Sequence, residues 1–402
     1  MANLMPDWSY LTLSKPMFGR FDDDKARRFV NGFFAGLARI PHGFRLVDLL
    51  GHMAPDASLR TELPNGARLA SPMALSPCID PEGRAAAAFS RFGAGALTFG
   101  PVARSPGPPP RFEQGPDGTL IGSGGAALSL DEACLLADHT GSAAFIFEID
   151  PFSGEADPIE ALTDLVVGLS GTATAIVLSP QVYGELMALD ATPRGELLGT
   201  LVTACRDRNV APFVGIPLDV SAEAAEEVGR AVQEAGASLY LAGAWTEEEP
   251  PRFQWGGATQ REAALELTRA LRATGDIFLL VDGGVRSPRE ARALQLAGAD
   301  ALAVGPGLVH AGPGLIKRIN ETFLFFGSDE ARPEDDESAI RRPWSWGVIL
   351  GASMLFGAVL AGWSALTTVL LPYDEEFLGR SAEDIASFNE RVLFFMTHDR
   401  IT

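Results

Sequence analysis

The stretch Ile277-Phe-Leu-Leu-Val-Asp-Gly-Gly-Val285 limits the possible folds of this chain more than any other. An apolar run ends in paired glycines. Ser287-Pro-Arg-Glu-Ala291 then opens a helical pattern, and a second apolar run closes on Gly305-Pro-Gly307. Short apolar runs bounded by turn residues are the mark of strands buried on both faces, so this reads as two successive strand–helix units. In a (β/α)8 barrel the loops after the last two strands commonly bind phosphate at the C-terminal face. Glycine lets backbone N–H groups come close to an anion. Gly283, Gly284, Gly305 and Gly307 are therefore candidates for holding a phosphorylated ligand, often a flavin nucleotide. Tight barrel turns alone would also call for these glycines.

The rest of the chain repeats the pattern. Short apolar runs fall at 68–75, 96–102, 143–149, 174–179, 212–216, 239–242, 277–282 and 301–304, with helical stretches such as 222–235 and 260–273 between them. Eight such units predict a single α/β domain, a (β/α)8 TIM barrel over 63–326. A doubly wound open sheet is the alternative, but no Gly-x-Gly-x-x-Gly follows the first strand. Gly107-Pro-Pro-Pro110 and the glycines at 122–125 mark a long irregular connection after the second strand, where barrels commonly carry function.

Upstream, residues 1–62 predict a helical extension. Asp22-Asp-Asp24 caps a helix over 25–40, with Ala26, Phe29, Val30, Phe33 and Leu37 on one face. Such a hairpin either packs on the barrel or touches a membrane. Downstream, an acidic linker at 327–345 leads to 346–371, which carries no charged residue. That run exceeds the roughly 20 apolar residues that cross a bilayer. Trp344, Trp346 and Tyr373 stand at its ends, with Arg341 and Arg342 before it and Asp374, Glu375 and Glu376 after it. The positive flank predicts a transmembrane helix with the barrel on the cytoplasmic side of a cell inner membrane, and membrane lipid as a partner. The tail at 372–402 has no assigned role.

Charge excludes one class of partner. A formal net charge of −20 leaves no basic patch for nucleic acid. Cys78, Cys134 and Cys205 are far apart and, like the five histidines, show no metal-ligand spacing. No metal is predicted.

Several segments together resemble the membrane-associated, quinone-dependent dihydroorotate dehydrogenases. Pro6-Asp-Trp-Ser-Tyr10, Lys25-Ala-Arg-Arg28 and Leu49-Leu-Gly-His52 are similar to that family's N-terminal extension. Ser71-Pro-Met-Ala-Leu75, Arg91-Phe-Gly-Ala-Gly95 and Phe99-Gly-Pro-Val102 resemble its first two strands, and 282–317 resembles its last two units. The likeness runs collinearly from about residue 4 to about residue 325. It implies a barrel holding FMN, oxidation of dihydroorotate to orotate in pyrimidine biosynthesis, and quinone reaching the flavin by way of the N-terminal hairpin.

The resemblance also assigns residues. Leu178-Ser179-Pro180-Gln181 matches the family's loop after the fourth strand, which puts Ser179 where the family has its catalytic base. Asparagines that hold substrate are matched by Ile176, Gln181 and Gly243, and two lysines near the flavin by Pro81 and Gly215. Gly283 and Gly284 are kept. Gly305 and Pro306 replace a Tyr and a hydroxyl residue, and Pro306 lacks an N–H to donate. Two functions follow from different classes. One is an FMN-dependent oxidoreductase passing electrons to quinone. The other is a non-catalytic, membrane-tethered barrel used for binding or assembly.

Overall fold

The computed structural model describes residues 23–39 and 56–325, apart from short stretches at 108–109, 116–117, 124, 139–142, 155–156, 247–251 and 313. The run 346–371, its flanks and the tail lie outside the described residues. Among those described, no helix is long and apolar enough to cross a membrane.

Eight parallel strands close into a barrel. In chain order they are β1 (Met73–Leu75), β2 (Ala96–Ala103), β3 (Ala144–Ile149), β4 (Ala175–Leu178), β5 (Ala211–Ile216), β6 (Ser238–Ala242), β7 (Leu279–Asp282) and β8 (Ala301–Val304). Each pairs in parallel with the next, and β8 pairs back onto β1 through Leu302 beside Met73 and Val304 beside Leu75. Helices Pro158–Leu169, Ala191–Arg206, Ala222–Ala235, Ala258–Thr274 and Pro288–Ala297 follow successive strands from β3 to β7. Their starts are written locally: Asp157, Ser221 and Ser287 each accept a first-turn N–H, and Gly236 and Gly298 end two helices in the left-handed region.

Strand alternation divides the core in two. Ala74, Ala96, Ile146, Ala175, Val177, Ala211, Phe213, Tyr240, Leu280, Ala301 and Ala303 form the barrel interior, closed below by Leu63 and Leu69. Leu97, Phe147, Ile176, Leu178, Val214, Leu239, Val281 and Val304 face outward with the helix leucines, such as Leu165 and Leu201. The interior is rich in alanine, so a few large side chains fill it.

The strand expected over 68–75 is two elements. Arg68–Leu69 pairs antiparallel with Thr61–Glu62, and only Met73–Leu75 joins the barrel. The small hairpin floors the barrel. Asn65 at its turn donates to the Asn209 carbonyl at 2.8 Å, and its side chain accepts from Ala67 N.

The connection after β2, expected to be irregular, contributes two strands to a lid. Phe112–Gln114 and Leu120–Gly122 pair with each other, and Phe253–Trp255 and Ala244–Trp245 complete a four-stranded antiparallel sheet. These strands come from the connections after β2 and β6, so the lid stands at the C-terminal end of the barrel. Phe112, Trp245, Phe253 and Trp255 form a chain of edge-to-face and tilted ring contacts along it.

Helix Asp23–Arg39 forms as the pattern predicts and buries much of the expected face. Leu37 is in the core and Val30 and Phe33 pack against it, though the face is turned toward Phe34 and away from Phe29. Phe34 and Leu37 are in the core, against Phe89 and Phe92, while Phe29 is 39 % exposed. Asn31 is buried among them. Its amide donates to the Ile79 carbonyl at 2.9 Å and to Asp80 at 3.1 Å, which satisfies a polar group on the packed face. Arg27 lies over the Phe112 ring, 4.7 Å from its centroid, and ties this helix to the lid.

Candidate functional site

Ser179, Gly283 and Gly305 follow β4, β7 and β8, so all three stand at the C-terminal end of the barrel. Ser179 is fully buried and caps the turn Pro180–Val182. Its hydroxyl donates to Glu148 Oε2 at 2.8 Å and accepts weakly from Gln181 N at 3.3 Å. Glu148 sits near the end of β3 on the inward face, two residues beyond Ile146. Neither composition nor motif pointed to it, because it interrupts an otherwise apolar strand.

Asp282 ends β7 on the same inner face, opposite Ala242 in the register and two residues beyond Leu280. Both carboxyls are 1 % exposed. Burial pushes Glu148 up to about 8; the Asp282 charge pushes it the same way, and the Ser179 hydroxyl pulls it back. Burial likewise lifts Asp282 to about 7, while Ser76, the Gly284 N–H and Tyr240 favour its charged form. None of these groups completes a well-aligned hydrogen bond to Asp282, and none of the groups shifting either carboxyl is basic. Cys78 and Tyr240 feel the same pair. Burial first and Asp282 second raise both well above their ordinary values, which makes Cys78 an inert buried thiol.

The positions matched by resemblance distribute unevenly. Ile176 points outward into the helix layer, so it does not line the site; Val177 is its inward neighbour. Gln181 accepts the Gly125 N–H at 3.1 Å. Gly243 adopts φ +60, and the Phe253 ring stands where a side chain would go. Gly215, on the inner face of β5, is packed against the next loop. A Cβ there would collide with the Pro180 nitrogen and come within 2.6 Å of the Leu178 carbonyl oxygen. Pro81 is buried beside Asp80, whose carboxylate accepts the Arg84 and Ala85 N–H groups.

Each of the four candidate glycines faces protein. A Cβ on Gly283 would meet Ala264 and Leu294, and one on Gly284, at φ +67, would meet Gly256 Cα at 2.7 Å. Gly305 abuts Cys78 and Ser76, and Gly307 abuts the Val285 carbonyl. Nearby donors are also engaged. Gly256 N donates to Gln260 at 2.8 Å, Arg286 N to Glu290 at 2.6 Å, and Glu290 N to Ser287 Oγ at 3.2 Å. Glu290 in turn pairs with Arg261.

No protein-family model matches the chain. A dihydroorotate dehydrogenase (quinone) from Deinococcus radiodurans is 30% identical over 346 residues, covering 76% of this chain and 93% of the relative. One from Thermobifida fusca is 26% identical over 345 residues, covering 77% and 90%. A crystal structure of the dihydroorotate dehydrogenase of Eimeria tenella with ferulenol superposes with a TM-score of 0.61 at 16% identity, covering 75% of this chain and 91% of that one. The last likeness is one of fold. With the sequence relationship to the Deinococcus protein spanning nearly that whole relative, the chain belongs to the family of quinone-type dihydroorotate dehydrogenases.

Proposed function

We propose that this protein is a membrane-tethered barrel that keeps the dihydroorotate dehydrogenase fold without the flavin chemistry, and serves binding or assembly. The observation that carries this reading is Gly215. Reduced flavin is negatively charged and is stabilised by a nearby cation. Where the family resemblance places a lysine, β5 leaves no space even for a methyl group.

FMN does not fit the residues present. Its phosphate needs free N–H donors, and those of Gly256, Arg286 and Glu290 near the glycines are turned to internal acceptors, while Pro306 offers none. The mouth also holds two buried carboxyls, and neither they nor the groups that shift them bring a positive charge to an anionic ligand. Ser179 keeps the residue type of a base, yet its hydroxyl is committed to Glu148.

That same hydrogen bond favours a second reading. A carboxylate poised near neutrality beside a serine is a base pair suited to proton abstraction, and the family relationship supports FMN, dihydroorotate and quinone as its partners. Full-length protein purified in detergent decides between the two. The expected result is little bound flavin and no quinone-coupled oxidation of dihydroorotate. Stoichiometric flavin, with turnover in the ordinary range of roughly 1–10³ per second and its loss in Ser179→Ala, would establish the enzyme instead.

The tether rests on sequence: 346–371 is long and charge-free. A chain ending at Ser338 is expected to leave the membrane under carbonate washing, while the full chain stays. Equal extraction of both would remove the tether from this reading.

A further inference from the structure

We propose that the inner mouth of the barrel binds a small donor-bearing cation, the ammonium group of a primary amine, between Glu148 and Asp282. This deepens the non-catalytic reading and rests on it, because an anionic ring substrate and a cation need opposite fields.

The acceptors around Glu148 and Asp282 are poorly served, since the Ser76, Gly284 and Tyr240 donors that act on Asp282 are not well aligned with it. Glu148 Oε1, both Asp282 oxygens, the Tyr240 hydroxyl and the Thr98 hydroxyl are buried without a completed hydrogen bond. All four residues are at most 1 % exposed. They share one place. Thr98 pairs in register with Ile146, which puts it on the face that carries Glu148. Tyr240 feels Asp282, Glu148 and Cys78 together, so its hydroxyl stands among them. Only Glu148 Oε2 is filled, by Ser179.

Unmet polar atoms in a dry interior are costly. Most of those here can accept, and two belong to carboxyls. The donors beside them are few: the Ser76 and Tyr240 hydroxyls, the Cys78 thiol and the Gly284 N–H. Arg27 acts on Cys78 and Asp80 but is not among the groups that act on the carboxyl pair. An ammonium group supplies three N–H donors and one positive charge, which matches an excess of acceptors that become anionic. A divalent metal matches less well, since the described residues include no group of three or more His, Cys, Asp or Glu able to hold one. Both carboxyls are lifted toward neutrality in the free protein, so binding the cation must release protons, and affinity must rise with pH.

The test is thermal unfolding of the full chain in detergent, at about pH 6 and about pH 9, with methylammonium chloride or with potassium chloride at equal ionic strength. Flavin content is measured on the same sample. Saturating methylammonium is expected to raise Tm by about 3–6 °C at the higher pH, and less at the lower. Potassium is expected to do nothing. The double variant E148Q/D282N should lose the response, and Tyr240→Phe, which removes one hydroxyl alone, should weaken it. No rise, an equal rise with potassium, or an undiminished rise in both variants would overturn the proposal. Flavin content separates the two ideas. Stoichiometric flavin overturns the non-catalytic reading, whereas flavin-free protein that ignores methylammonium overturns only the cation site.

Discussion

Gly215→Lys is expected to yield no folded barrel, and Gly215→Ala to lose about 3 kcal/mol or more. The reason is local. The inner face of β5 lies against the backbone of the Ser179–Pro180 turn, and a single added carbon meets Pro180 N and Leu178 O. Backbone atoms cannot rotate aside as a side chain can, so β4 and β5 would have to separate at the point where Leu178 pairs with Val214. The control is Gly195→Ala. Gly195 lies within helix Ala191–Arg206 with nothing near its missing side chain, so alanine there should add about 0.5–1 kcal/mol. Denaturant unfolding of the two variants reads the contrast directly. A Gly215→Ala protein as stable as wild type would mean that β5 stands further from the turn and leaves room for a lysine at this position.

The stability of the barrel is expected to fall as pH rises through about 7 and 8. Glu148 and Asp282 are held in the fold at about 8 and about 7, against ordinary values of 4.5 and 3.8. The folded state therefore binds protons more tightly than the unfolded state. Their contribution is fully present below about pH 4 and is lost as pH climbs through the folded values. Asp80, lifted to about 6, adds to the lower part of the same decline. The two inner carboxyls together should cost several kcal/mol by about pH 9, seen as a fall of roughly 10 °C in Tm. Glu148→Gln removes its share, because glutamine keeps an acceptor for Ser179 and never ionises. That variant should be more stable than wild type at alkaline pH and show a flatter pH profile. Parallel profiles for the two proteins would mean that Glu148 is solvated.

Much of the barrel was legible in the chain itself, because a strand buried on both faces must be apolar along its whole length. The runs near 96–102, 174–179, 239–242 and 301–304 meet that condition, and each became a strand within a residue or two. The paired glycines were legible for a related reason, since turn residues mark strand ends, whereas Ser179 was singled out by the family resemblance alone. The failures have their own causes. At 68–75, Ser71 and Pro72 interrupt a run that composition joins, and the floor hairpin takes the first part. Ile176 was placed at the site by alignment, but strand parity turns it outward, and one residue of offset exchanges the two faces. The lid could not be read at all: Leu120–Gly122 finds its partner in Phe253–Trp255, across most of the barrel in sequence. The acid pair is the sharpest case. In the sequence Glu148 only interrupts an apolar run and Asp282 only ends one. Only closure of the sheet into a barrel turns both inward, where burial lifts both carboxyls toward neutrality.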